Sequence, residues 1–286
     1  MDNSHIKKIT DRKVDSHKGD YGKVFALAGS VGMTGAAYLC SQGALFSGSG
    51  LVTLGIPESL NAIMETKLIE VMTLPLPETK EQTISLKAKD KILDFVEKCD
   101  AVMMGPGLGQ QHDTGLLIKA LLHEIKKPVV LDADGLNLLG QDIVLINERE
   151  VPTVLTPHPG EMARLIGKSI EAVQKDREAI AKKFAKETGA IVCLKGHRTV
   201  VADPSGNVYI NDTGNSGMAT GGTGDVLTGM ITSFIGQGLE PFSAAVSAVY
   251  LHGLAGDLAV EEIGPFSLTA TDVLAYIPQA FMKAGV

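Results

Sequence analysis

Cysteine is scarce in this chain. Only Cys40, Cys99 and Cys193 occur; they are far apart, odd in number and accompanied by no CxxC pair or Cys/His cluster. That excludes a disulfide scaffold and a zinc site, and it reads as reduced core thiols of a cytosolic, cytoplasmic protein. Positive charge is also in deficit. Lys and Arg number 26 against 33 Asp and Glu, a net −7, so no overall field draws in nucleic acid or an anionic membrane. Met1 to Lys23 is polar and charged, without the apolar stretch of a secretory signal. Charge is missing altogether from Val24 to Pro57, yet seven glycines interrupt that segment, which suits strand, loop, helix and strand in a core better than a membrane span. No low-complexity linker, charge block or internal repeat divides the 286 residues, and one domain over 1–286 is expected.

Glycine, by contrast, is abundant, at 32 residues against 12 prolines. Short continuous apolar runs end at or near it: Val24 to Gly29, Leu51 to Gly55, Ala101 to Gly105, Val129 to Asp132, Thr153 to Thr156 and Ile191 to Lys195. Continuous runs mark strands covered on both faces, hence a mostly parallel sheet. Helical patterns lie between and after them, over Gly35 to Gly48, Leu86 to Lys98, Thr114 to Lys126, Gly160 to Ile166, Ile170 to Thr188, Gly224 to Gly236, Pro241 to Ile263 and Ala270 to Ala284. Thr199 to Asn211 reads as an edge hairpin about the turn Asp203 to Asn207. The pattern is α/β, and such open sheets bind ligands beyond the carboxyl ends of their strands.

The most specific segment is Asn215-Ser-Gly-Met-Ala-Thr-Gly-Gly-Thr-Gly-Asp225. Glycines opening a helix expose N–H groups that the helix ladder cannot satisfy, and the helix dipole favours phosphate there. Asp225 in the first turn would stand beside that anion. Taking a proton from an attacking hydroxyl would be its work; favouring the helix dipole is the simpler alternative.

Other segments are less specific. Thr156-Pro-His-Pro-Gly-Glu161 opens a helix: His158 is either a hydrogen-bonding group for a ligand or part of a capping turn, and Glu161 either orders a magnesium-bound water or favours the helix start. Lys195-Gly-His-Arg-Thr199 is a phosphate site or a solvated hairpin start. Asp132 and Asp134 orient magnesium or cap a helix. Gly105-Pro-Gly-Leu-Gly109 is not a dinucleotide fingerprint, and Gly167-Lys-Ser169 lacks the leading glycine of a phosphate-binding P-loop, since residue 162 is Met.

Taken in order from about Ser16 onward, these motifs closely resemble those of the ADP- or ATP-dependent NAD(P)H-hydrate dehydratases. His17-Lys-Gly-x-x-Gly22, Gly29-Ser30, Gly32-Met-Thr-Gly-Ala-Ala37 and Leu131-Asp-Ala-Asp-Gly-Leu136 belong to the same set. The resemblance implies a ribokinase-like fold, an open, mostly parallel sheet with helices on both faces. It implies that Ala37, Gly107, His158 and Asp225 meet the hydrated dinucleotide. Lys195, Gly196, His197, Arg198, Thr199 and Gly224 would meet the adenine nucleotide. Gly221 to Gly224, with Gly222, Thr223 and Gly224 at its centre, would form the anion hole, Asp225 would be the base, and Glu161 would hold magnesium through water. His158, where related vitamin kinases carry Asn, follows the dehydratase pattern.

The implied reaction is metabolite repair: the S epimer of hydrated NADH or NADPH is dehydrated while ADP (or ATP) is cleaved to AMP (or ADP) and phosphate. The resemblance also implies Mg2+, a homotetramer, and a separate epimerase, because only about fifteen residues precede Ser16. A vitamin-precursor or sugar kinase of the same fold is the alternative. A non-catalytic nucleotide sensor fits less well, since it has no need of Asp225.

Overall fold

A computed structural model describes residues 4–286. The uncharged runs form the centre of a nine-stranded sheet: β1 (Lys23–Leu27), β2 (Leu51–Pro57), β3 (Met72–Leu76), β4 (Ala101–Met104), β5 (Val129–Leu131), β6 (Thr153–Leu155), β7 (Ile191–Leu194), β8 (Val200–Ala202) and β9 (Val208–Ile210). Their order is 3-2-1-4-5-6-7-8-9. All pairs from β3 to β7 are parallel, and β8 and β9 close one edge as an antiparallel hairpin.

Alternate residues of each strand feed two cores. Phe25, Leu27, Val102, Met104 and Leu131 bury into one, under helices that include His112–Glu124, Pro159–Ile166 and Arg177–Thr188. Val24, Ala26, Leu54, Met103 and Val130 face the other, under Thr34–Phe46, Thr223–Gly236 and Pro241–Ile263. Burial of each large side chain contributes about 1.5–3 kcal/mol, so the two-sided sheet is the main source of stability. The helix Pro241–Ile263 is long and apolar enough to cross a membrane by length and composition. Its residues Ala244, Ala245, Ala248, Leu251, Ala255 and Ala259 are instead buried in the chain's own core.

Several elements differ from the expectations. β3 was not anticipated, because Pro75 and Pro77 make its stretch resemble a loop; it pairs only with β2, at the edge where proline is tolerated. The helix expected over Ile170 to Thr188 is two, Ile170–Lys175 and Arg177–Thr188, broken at Asp176, whose carboxylate caps the second by accepting from Ala179 N–H. Ala270 to Ala284 likewise divides at Tyr276 ahead of Pro278. Helices Glu58–Lys67 and Ala133–Leu139 are additional.

Helices Thr34–Phe46 and Thr223–Gly236 meet backbone to backbone. A Cβ added at Gly229 would lie 2.1 Å from the Cys40 carbonyl oxygen, and one at Gly43 would lie 2.5 Å from that of Val226. Only glycine permits this approach. It sets the N-terminus of the second helix at the carboxyl edge of the sheet.

Candidate active site

The parallel strands deliver their following residues to one edge: Ser30 after β1, Gly105 after β4, Asp132 after β5, His158 after β6 and Lys195 after β7. Asp132, 1% exposed, is the hub. Its Oδ1 accepts from Lys195 Nζ at 2.5 Å and its Oδ2 from the Thr228 hydroxyl at 2.6 Å. One buried carboxylate thus ties the end of β7 to the helix that begins at Thr223. Burial works to lower the Lys195 pKa, but Asp132 and Glu161 outweigh it, and the ammonium stays charged.

At the start of that helix, Gly222 adopts φ +97°, and a Cβ there would sit 2.4 Å from Leu39 Cδ1. Thr223 is fastened by its hydroxyl to the carbonyls of Met218 and Thr220, each at 3.1 Å. Among the described residues, the N–H groups of Thr223, Gly224 and Asp225 donate to no protein acceptor. They form an open anion hole, and Lys195 Nζ stands beside it, 3.2 Å from where a Gly224 Cβ would be. Asp225 is pushed up to about 7, by burial first and then by Asp132, with Lys195 opposing. A carboxylate poised near neutrality next to an anion hole suits a general base.

His158 and Glu161 form a closed pair. The His158 Nδ1 accepts from Gly160 N–H at 3.0 Å and Glu161 N–H at 3.2 Å, while Glu161 Oε2 accepts from His158 N–H at 2.8 Å. Glu161 Oε1 faces His158 Nε2 at 3.2 Å. Burial, with Lys195 and Arg164, lowers the His158 pKa, in keeping with a ring whose Nδ1 serves as an acceptor. The capping turn foreseen for this segment is therefore formed, and it holds Glu161, only 5% exposed, on the Lys195 side of the cleft. Asp134 accepts from Gly109 N–H at 2.9 Å and from Gln110 at 3.1 Å, fixing the glycine loop after β4. In that loop Gly107 lies against Met33 and Ala36, one turn from buried Ala37.

A cavity of about 390 Å3 opens from the anion hole, lined by Lys195, Gly196, His197, Arg198, Thr199 and Gly224 and, further in, by Leu227, Val249 and His252. Its far wall was not foreseen. Asp257 accepts from Gly214 N–H at 2.8 Å and from the Asn215 amide at 3.0 Å, holding loop 211–218 on helix Pro241–Ile263. His252 is buried, which pushes it down to about 4 and keeps it neutral. Asp257 and His252 are single residues on a long apolar helix, without a glycine signature to announce them.

A parallel sheet of this order, with an anion hole and a carboxylate at its carboxyl edge, defines a ribokinase-like protein. Comparison with solved structures agrees. The Bacillus subtilis ADP/ATP-dependent NAD(P)H-hydrate dehydratase, co-crystallized with ATP/Mg2+, superposes with a TM-score of 0.81 at 32% identity, covering 98% of this chain and 97% of that one. Hydroxyethylthiazole kinase from Pyrococcus horikoshii shares the fold, with a TM-score of 0.63 at 17% identity, over 93% of this chain and 92% of that one. The profile of the NAD(P)H-hydrate dehydratase family matches residues 24–279, and the chain belongs to that family.

Among sequence relatives, the bifunctional NAD(P)H-hydrate repair enzyme Nnr of Moorella thermoacetica is 47% identical over 271 residues, 95% of this chain and 51% of the relative. The ADP-dependent (S)-NAD(P)H-hydrate dehydratase of Neisseria meningitidis is 39% identical over 263 residues, 91% of this chain and 84% of the relative. The chain spans about half the length of the bifunctional relatives it matches.

Proposed function

We propose that this chain dehydrates the S epimer of hydrated NADH or NADPH, using ADP (or ATP) as phosphoryl donor and leaving AMP (or ADP), phosphate and NAD(P)H. The observation that carries the reading is Asp225, held near neutrality in the first turn of a helix whose free N–H groups and neighbouring Lys195 offer an anion site. Family membership and the Neisseria relative support the choice of substrate.

The hydroxyl on the hydrated ring is a poor leaving group. Asp225 takes its proton as the oxygen attacks the terminal phosphoryl group of the nucleotide, whose bond to the remaining phosphate breaks. The N–H groups of Thr223 and Gly224, with Lys195, stabilise the oxygens gaining charge. Phosphate then leaves from the ring carbon, driven by the ring nitrogen's electron pair, and loss of a ring proton restores the reduced nicotinamide. In this reading Lys195 to Thr199 and Gly224 hold the nucleotide, while Ala37, Gly107 and His158 border the dinucleotide.

Magnesium fits the donor chemistry. Asp132, Asp134 and Glu161 all press on Asp225, with Lys195 opposing them, and two phosphorylated ligands add further negative charge. Among the described residues no group of three or more metal-ligating side chains is assembled, so Glu161 would hold the ion through water, and the ion would neutralise phosphate charge. The reduced, buried cysteines suit a cytoplasmic setting, and a homotetramer belongs to the same reading. Sedimentation as a monomer at micromolar concentration would remove the tetramer.

The test is recovery of reduced-nicotinamide absorbance from enzymically hydrated NADH, with magnesium and with ADP, ATP or no nucleotide. Nucleotide-dependent recovery with equimolar phosphate is expected. A stable phosphorylated product without recovery would instead make the chain a small-molecule kinase.

A further inference from the structure

The loop after β7 is gripped from behind by a residue that no motif includes. Arg177 opens the helix Arg177–Thr188, and its guanidinium donates to three main-chain carbonyls: Nη1 to His197 at 2.5 Å, and Nη2 to Leu194 at 2.9 Å and Arg198 at 3.3 Å. The planar group lies flat against Gly196, where an added Cβ would meet Cζ and Nη2 at 3.2 Å. Any larger side chain there, at φ +141°, would press on the guanidinium. The loop itself is under strain, since Arg198 holds φ +57°, a conformation uncommon for a residue with a Cβ. It is closed across its mouth by the Thr199 hydroxyl, which donates to the Gly196 carbonyl at 2.9 Å.

The direction of these bonds matters. In a trans peptide the carbonyl and the N–H that follows it point opposite ways. Drawing the His197 and Arg198 carbonyls back toward Arg177 therefore turns the N–H groups of Arg198 and Thr199 away from it. Both residues line the cavity that runs to the anion hole. Among the described residues neither N–H has a protein acceptor. Consecutive outward N–H groups beside a left-handed residue make an anion-binding concavity.

We infer that Arg177 is a positioning residue for the nucleotide: by fastening the carbonyl side of loop 194–199, it presents the Arg198 and Thr199 N–H groups to the nucleotide's phosphates. This rests on the nucleotide reading above. Arg177 touches no ligand, and its effect falls on affinity rather than on the phosphoryl-transfer step. Lysine cannot replace it, because one ammonium lacks the planar fork that spans three carbonyls.

The test is calorimetric titration of ADP with magnesium into the wild-type protein, Arg177→Lys and Arg177→Ala, beside turnover at saturating ADP. Loss of bonds from a charged donor predicts ADP affinity weaker by about tenfold to a hundredfold in both variants. Turnover at saturating ADP should stay within about threefold of the wild type, a KM-against-kcat split that general loss of structure would not produce. Guanidinium ion added to Arg177→Ala should recover part of the affinity, and the same salt should do nothing for the wild type. Should Arg177→Ala fail to fold, Arg177→Lys carries the test, with faster amide exchange at Arg198 and Thr199 as a second readout. ADP affinity within twofold of wild type in the folded variants overturns the inference alone. Failure of the wild-type protein to bind ADP overturns the nucleotide reading and the inference with it.

Discussion

Replacing Asp225 by asparagine should stabilise the fold while disabling it. In the folded chain the carboxyl is raised from the ordinary aspartate value of 3.8 to about 7, by burial first, then by Asp132, with Lys195 partly offsetting both. A carboxyl raised on folding binds its proton more tightly in the native state than in the unfolded one. Its stabilising share is complete below the unfolded value and is lost as pH rises toward 7; above that, the native state carries an unwelcome charge. Three pH units at about 1.4 kcal/mol each put that cost on the order of 4 kcal/mol at about pH 8. Asparagine, neutral throughout, escapes it. Between about pH 5 and about pH 8, the stability of Asp225→Asn relative to wild type should therefore grow by roughly 3 kcal/mol. At roughly 2 °C per kcal/mol for a chain of this length, that is about 6 °C in Tm. Urea denaturation at the two pH values measures it, while turnover of hydrated NADH should fall by about 10²–10⁴-fold with ADP affinity retained. A stability difference that is the same at both pH values would refute the burial argument, and near-wild-type turnover would refute the role as base.

Four further outcomes follow from the geometry. Catalytic efficiency, kcat/KM, should rise through about pH 7 as a single proton leaves Asp225, and a flat profile from about pH 6 to 8 would contradict it. Lys195→Met strands the buried Asp132 charge and should cost about 3–5 kcal/mol in denaturation; adding Asp132→Asn should restore stability but not ADP binding. Gly222→Ala forces a methyl to 2.4 Å from Leu39 at φ +97°, which should lower stability by about 1–3 kcal/mol and reduce turnover. Excess chelator should abolish activity under the magnesium reading, and full activity in chelator would remove it.

Much of the architecture could be read from residue order alone, for reasons that are themselves physical. Uncharged runs such as Ala101 to Met104 have no stable place except between two apolar layers, and helix Pro241–Ile263 matches the expected bounds because Pro241 and Gly264 punctuate it. β3 escaped notice because an edge strand needs only one partner and can include Pro75. The break at Asp176 was hidden by unbroken helical periodicity on both sides. Within the site, residues that work through a glycine-rich turn were visible, Asp225 above all. Arg177, Asp257 and His252 were not, because each sits at an ordinary helical position far along the chain, and only folding brings His252 to the cavity and the other two to the loops that line it. His158 and Glu161 lie between these cases: their spacing announced a helix start, and the structure shows each occupied with the other.

The close approach of Gly43 to Val226 and of Gly229 to Cys40 governs what in this protein is able to move. Most helix pairs slide slightly because side chains between them exchange rotamers; here main chain rests on main chain, and nothing lies between to reorganise. The helix with Ala37 and the helix with Asp225 are consequently one mechanical part. The angle between the base and the wall opposite is settled at folding. The helix pair should retain the slowest amide exchange in the chain whether the cleft is filled or empty.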